Sequence, residues 1–332
     1  MSQRKVLVTG GGGFLGRHIV NQLLEKGDQV AVYQRSSHQD LVDRGVTVHC
    51  GSLDDIDKLT EACRGVDLVF HVAAKAGVWG PVKEYYSINV TGTKNIVQAC
   101  LKAGVKKLVH TSSPSVAFGI EAIENGDESL PYPDKYLTAY PETKAEAERY
   151  VLAHNSPELA TCALRPHLIW GPGDNHLIPR LVEAHRAGKL MQVGDGTNLV
   201  DITYVENGAK AHIQAADKLE YGSPVAGKAY FIGDADPVNL WDWINDMLKT
   251  LNEAPISKEI SYNKARKAGA VLEVIYSCLP FLGEPKMTRF VAAQLSKSHY
   301  FKRDNAIKDF GYKPDISNEE GLKRLKSWWN KR

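Results

Sequence analysis

"VLVTGGGGFLGRHIV", Val6 to Val20, runs from an apolar, β-branched stretch through a glycine cluster into the start of a helical pattern. Gly10, Gly13 and Gly16 have the spacing G-x-x-G-x-x-G. After a first strand that spacing has a steric meaning. The chain must turn sharply, admit a pyrophosphate to its backbone and pack a helix closely on the strand, and a side chain would obstruct each step. The helix then opens at Phe14 and Leu15 with unpaired N–H groups that suit an anion. No G-K-[S/T] follows, which excludes a P-loop.

Working outward, the same alternation repeats. "KVLVTG", "QVAVYQ", "VTVHCG", "DLVFHVAA", "KKLVHTSS" and "TCALRPHLIWG" read as buried strands, with helical patterns between them. Continuous apolar strands alternating with helices predict an α/β, doubly wound parallel-sheet Rossmann fold, with ligands at the carboxyl ends of the strands. After Gly171 the regularity breaks. "VGDGTNLVDITYVENGAKAHIQAADKL" predicts a short strand pair and a helix, and "GKAYFIG" a further strand. The expected domains are residues 1–171, with strands returning near 200–232, and a smaller, interleaved, mostly helical lobe over 172–332.

The 332 residues are 43% apolar and 24% charged, with a formal net charge of +2. No basic block resembles a nucleic-acid footprint, so nucleic acid is not an expected partner. Five scattered cysteines form no C-x-x-C pair, and the histidines show no ligand spacing, so reduced thiols and no metal are expected. The start enters a strand directly and lacks the apolar core of a signal peptide, which predicts a cytoplasmic protein. "AGAVLEVIYSCLPFLG", Ala268 to Gly283, is too short to span a bilayer. It reads as a helix and turn walling an apolar pocket through residues such as Leu279 and Phe281. A peripheral membrane contact is the lesser alternative.

An acid about 20 residues beyond the glycines would grip an NAD ribose. Here "VAVYQRSSH" puts Gln34 at that place and Arg35 after it. Arg35 with Ser36 and Ser37 suits a 2′-phosphate, so NADP(H) is favoured over NAD(H). Farther on, "AYPETKAEAERYVL" sets Tyr140 four residues before Lys144, on one face of a helix. A free tyrosine, with a pKa near 10, is a poor base at neutral pH; a neighbouring ammonium favours the phenolate.

Taken in order, "TGGGGFLG", "VFHVAA", "NVTGT", "TSSPSV", "YPETK", "LRPHLIWGPGD" and "DITYVENGAKAH" resemble the extended short-chain dehydrogenase/reductases along nearly the whole chain. "LVHTSSPSVAFG" and "GEPKMTRFVAAQLSKSHYF" resemble the 3β-hydroxysteroid dehydrogenase branch, which includes 2-alkyl-3-oxoalkanoate reductases and sterol-4α-carboxylate 3-dehydrogenases. The resemblance implies hydride transfer between a nicotinamide and the C3 oxygen-bearing carbon of an apolar substrate. It makes Tyr140 the acid/base and has Lys144 lower its pKa and bind the nicotinamide ribose. Ser113 would steady the substrate oxygen, with Thr111 as the fallback, and Asn89 would hold a water linking Lys144 to solvent, a helix-packing hydrogen bond being its alternative.

The cofactor site implied comprises Gly10, Gly13, Phe14, Leu15, Gly16, Arg35, Ser52, Leu53, Ala73, Ala74, Lys75, Thr111, Tyr140, Lys144, Pro166, Leu168 and Ile169. Ser52–Leu53 departs from the family's Asp–Leu pair. His176 and Arg180 are candidates to bind a substrate carboxylate, and Tyr204 to line the pocket; a plain surface residue is the alternative for Arg180 and a core tyrosine for Tyr204. A homodimer is the family expectation. Two rival readings are a sugar-nucleotide epimerase or dehydratase on the same fold, and a non-catalytic dinucleotide-binding protein.

Overall fold

The computed structural model describes residues 3–332. A parallel sheet runs through its centre, formed by β1 (Lys5–Thr9), β2 (Gln29–Gln34), β3 (Thr47–Cys50), β4 (Leu68–His71), β5 (Lys107–Thr111), β6 (Ala160–Pro166) and β7 (Ala229–Ile232). Their order is β3-β2-β1-β4-β5-β6-β7. The strand order reverses between β1 and β4, and a crevice opens there at the carboxyl edge.

The helices of seven residues or more are α1 (Phe14–Glu25), α2 (Ile56–Ala62), α3 (Gly92–Ala103), α4 (Ala139–Ala153), α5 (Leu177–Arg186), α6 (Val205–Lys218), α7 (Leu240–Thr250), α8 (Tyr262–Cys278), α9 (Arg289–Ser296), α10 (Asp304–Phe310) and α11 (Asn318–Trp329). Strand alternation divides the core between the two faces. Val6 and Val8 of β1 pack with Ile19 and Leu23 of α1 and with Ala209 and Ile213 of α6. Leu7 packs with Leu59 of α2 and with Ile96 and Val97 of α3. A second core, around Trp170, Trp241, Trp243 and Met247, holds the C-terminal lobe together. The lobes interleave: α6 and β7 return to the central sheet after the chain has already left it.

Three local expectations need correction. The sixth run is two strands. β6 ends at Pro166, the chain turns at Leu168 with φ 39°, and Ile169–Trp170 pairs instead with Thr203–Tyr204. For a leucine that backbone costs about 1–3 kcal/mol. The strands near 200 are not a hairpin, nor do they join the central sheet. Leu199–Val200 pairs with Val238–Asn239 and with His299–Phe301.

The third correction concerns α8. It docks through its small residues: Ala265 and Gly269 are buried, and a Cβ on Gly269 would lie 2.6 Å from the Thr288 carbonyl carbon. Val271, Val274, Ile275, Leu279, Phe281 and Leu282 are therefore exposed, Phe281 at 81%. The segment does not wall the pocket, because its apolar side is the side left outside. Among the described residues no helix is long and apolar enough to cross a membrane.

Candidate active site

The glycine cluster builds one end of the site. Gly10 has φ 69°, and a Cβ on Gly16 would sit 2.2 Å from the Gly10 carbonyl oxygen, so both positions require glycine. Gly13 precedes α1 without any side-chain cap, leaving the first-turn N–H groups open. Ala73 closes on the same turn: a Cβ on Gly10 would meet its Cα at 3.0 Å. Gln34 is turned inward, accepting the Gly12 N–H at 2.7 Å. Arg35 is exposed beside it and makes no ion pair among the described residues.

A buried polar chain fixes this end to the catalytic helix. The N–H groups of Val72 and Ala73 donate to the Thr9 hydroxyl at 3.2 Å. Thr9 contacts Nδ1 of His71 at 2.8 Å, and Nε2 of His71 contacts the Thr93 hydroxyl at 3.0 Å. Thr93 donates to the Asn89 carbonyl at 2.6 Å. Donors and acceptors alternate throughout if His71 is protonated on Nε2, and burial lowers its pKa to about 3.

Asn89 lies in a π-helical turn, Tyr86–Thr91, before α3. Its Oδ1 accepts the Lys75 N–H at 2.7 Å, and Nδ2 donates to the Lys75 carbonyl and the Thr143 hydroxyl, each at 3.1 Å. Both amide protons are spent, and the side chain clamps the loop after β4 to α4, the packing alternative. Asn89 does not line the cavity.

One cavity of about 1290 Å³ joins the glycine turn to α4. All the positions expected to bind cofactor line it, as do Ser113 and His176. The residues present fit an extended dinucleotide: a cradle that a Cβ would fill, open helix N–H groups, and a cleft leading to Tyr140.

Tyr140 and Lys144 share one face of α4, as their spacing requires. Lys144 is 2% exposed, and its Nζ donates to the Thr111 carbonyl at 2.6 Å, with His110 Nε2 3.4 Å away. Burial lowers its pKa to about 8, with Glu148 opposing. The Thr111 side chain turns away from the cleft and contacts His212 at 2.9 Å, which rules it out as the substitute for Ser113. Ser113 follows β5 by two residues and lines the cleft, 2.9 Å from the Ser115 hydroxyl. Burial raises the Tyr140 phenol above its ordinary value, and hydrogen bonding to Ser113 opposes that rise.

α4 is anchored beneath these groups. Glu148 accepts two hydrogen bonds from Arg165 of β6, at 2.6 and 2.9 Å, and one from Tyr132 at 2.6 Å. The pair is almost fully enclosed.

Two expected substrate residues lie elsewhere. Arg180 is exposed, paired with Glu284 at 3.3 Å and outside the cavity lining. Tyr204 is a core residue with no exposure, its ring against Trp170. Exposure of a helix residue and burial of a strand residue depend on what packs there, and neither sequence position carries that information.

Ser115, Asp174, His167 and His299 line the cavity and were not anticipated. Asp174 accepts the N–H groups of His176, Leu177 and Ile178, ordering the start of α5. "GPGD" is a legible signal for that cap; His299 has no sequence signal.

The profile of the 3-beta hydroxysteroid dehydrogenase/isomerase family matches residues 7–260. A 2-alkyl-3-oxoalkanoate reductase of Stenotrophomonas maltophilia is 45% identical, over 97% of this chain and 98% of the relative. A decarboxylating sterol-4-alpha-carboxylate 3-dehydrogenase of Mus musculus is 38% identical, over 97% and 90% respectively. Among solved structures, MoeE5 in complex with UDP-glucose and NAD matches with a TM-score of 0.77 and 27% identity, covering 98% of this chain and 99% of MoeE5. The seven-stranded sheet, the glycine turn and this spread of similarity lead to one conclusion: the chain belongs to the 3-beta hydroxysteroid dehydrogenase/isomerase family of oxidoreductases.

Proposed function

We propose that the protein is an NAD(P)-dependent oxidoreductase acting at C3 of an apolar 3-oxo or 3-hydroxy acid, of which a 2-alkyl-3-oxoalkanoate is the best-supported example. The observation that carries this reading is the convergence of Tyr140, Ser113 and Lys144 on the cavity that starts at the glycine turn. A bound nicotinamide supplies or accepts the hydride. The chain's own residues manage the oxygen and its proton.

In the reducing direction the Tyr140 hydroxyl gives its proton to the oxygen at C3. Ser115 N–H donates to Ser113 Oγ at 3.2 Å and the two hydroxyls lie 2.9 Å apart, so with the Ser115 hydroxyl donating, the Ser113 proton would point at that oxygen. Lys144 spends one N–H on Thr111 and keeps another for a ribose hydroxyl. Its ammonium persists below about pH 8 and is lost above, so cofactor affinity should weaken as pH rises through that value. In the oxidising direction Tyr140 would act as the phenolate, a form that a bound oxidised nicotinamide would favour.

Beyond Tyr140 the walls include Phe118, Leu168, Leu177, Phe290 and Phe301, which suits an alkyl body. This lining favours the apolar acid over a sugar nucleotide. A 4-carboxysterol or 3-hydroxysteroid would use the same chemistry. Arg35, exposed and without an acidic partner at the cofactor end, supports NADP(H) over NAD(H). The test is parallel turnover of a 2-alkyl-3-oxo acid, a 3-ketosteroid and a UDP-sugar, each with NADPH and with NADH. Turnover of the oxo acid with NADPH is expected; turnover of the UDP-sugar alone would refute the reading.

A further inference from the structure

The substrate half of the cavity contains a polar feature that the chemistry above does not use. His167 follows β6 and is pinned through its backbone, its N–H donating to the Ile232 carbonyl at 3.1 Å and the Thr203 hydroxyl at 3.2 Å. Its ring Nε2 lies 2.6 Å from Nδ1 of His299. His299 Nε2 lies 2.8 Å from the Gln294 carbonyl.

These contacts fix the tautomers. A carbonyl can only accept, so His299 carries its proton on Nε2, and its bare Nδ1 must accept. His167 therefore donates from Nε2, and its own Nδ1 is left bare. That atom has no partner among the described residues and is not sealed from the cavity, which His167 lines. Phe301 stands against the His167 ring and Phe118 against the His299 ring, and Phe290 lines the same cavity. No arginine lines this half; the sole arginine in the lining is Arg35, at the cofactor end.

The placement matches the substrate. Thr111, the last residue of β5, pairs with Leu164 of β6, and the Ser112 N–H donates to the Leu164 carbonyl, so the chain carrying Ser113 leaves the sheet beside the end of β6, which His167 follows. Adjacent strands are about 4.8 Å apart. A 3-oxo acid carries its carboxyl carbon two bonds from C3. With the C3 oxygen at Ser113 and Tyr140, the carboxyl group has to lie within a few ångströms, toward one of the neighbouring walls.

We propose that His167 Nδ1 recognises the carboxyl group of the substrate, binding it with its proton as an O–H···N pair, and that His299 and the Gln294 carbonyl are the positioning relay. This inference rests on the proposed oxo-acid substrate. Only a proton moves: a carboxylate arriving from neutral solution takes one from solvent, and it is then shared between Nδ1 and the carboxyl oxygen.

Burial keeps both rings neutral in the free protein, lowering His299 to about 4 and His167 well below its ordinary value. The groups facing them leave that balance intact. Asp201, on the strand beside His299, is taken up by the Phe301 N–H and Arg303, and Ser113 and Tyr140 across the cleft are uncharged. Proton uptake then accompanies the anion, so the KM for the acid should rise by up to about tenfold per pH unit above neutrality.

The experiment compares a 2-alkyl-3-hydroxy acid with its methyl ester in wild type, His167→Gln and His167→Asn. Gln keeps an amide at the Nε2 position and with it the contact to His299, but deletes the recognising atom. Asn places an amide near Nδ1. The acid-to-ester ratio of kcat/KM should fall about 10- to 100-fold in the Gln variant, recover in part in the Asn variant, and lose its pH slope in both. Equal losses on acid and ester, or an unchanged ratio, would overturn the proposal. Wild type that turns over neither compound would sink the oxo-acid reading as well, a different result from turnover without acid selectivity.

Discussion

The two ends of the cavity are built in opposite ways. At the cofactor end a single run from Thr9 to Gly16, crossing from β1 into α1, supplies the turn, the close approach and the open N–H groups. At the substrate end Phe118, Leu168, Leu177, Phe290 and the strand carrying His299 and Phe301 arrive from separate parts of the chain, and His167 meets His299 across 132 residues. The first end is set by local sterics. The second exists only once both lobes have packed.

If that contrast is right, the pair holding α4 to β6 should matter most, because the machinery shared by both ends stands on it. Glu148→Ala leaves Arg165 buried without its carboxylate, and chemical denaturation should show a loss of about 3–5 kcal/mol. At the cofactor end, Gly16→Ala drives a methyl into the Gly10 carbonyl. A loss of about 1–3 kcal/mol is expected, along with weaker dinucleotide binding by fluorescence titration. Arg35→Ala should lower the NADP/NAD ratio of kcat/KM by about tenfold, which corresponds to about 1.4 kcal/mol; an unchanged ratio would remove the NADP preference.

The smallest effect should come from the apolar tip that the sequence places against the pocket. Phe281→Ser should change stability by less than about 0.5 kcal/mol and leave long-chain substrate KM unaltered. A large KM increase would return that segment to the pocket wall.

The same contrast explains what could be read in advance. Gly10, Gly13 and Gly16 are legible because a Cβ there collides whatever surrounds it. Tyr140 and Lys144 are legible because a four-residue step on a helix fixes their common face. Thr111 and Asn89 were placed in the right neighbourhood, but the partners of their side chains are not legible there: the Thr111 side chain belongs to His212, and the Asn89 amide to Lys75 and Thr143. The apolar content of α8 suggested burial, yet Gly269 lets its small face dock and turns the larger side chains outward. Tyr204 and Arg180 failed for a related reason: neither spacing nor residue type says which lobe will cover a position.

The central claim is that the Tyr140 phenol moves the proton at the substrate oxygen while the glycine turn independently holds the dinucleotide. Steady-state kinetics and cofactor titration of Tyr140→Phe test both halves at once. The account predicts a fall in kcat of about 10²- to 10⁴-fold with dinucleotide affinity retained. Normal turnover by that variant, with cofactor bound, would contradict it.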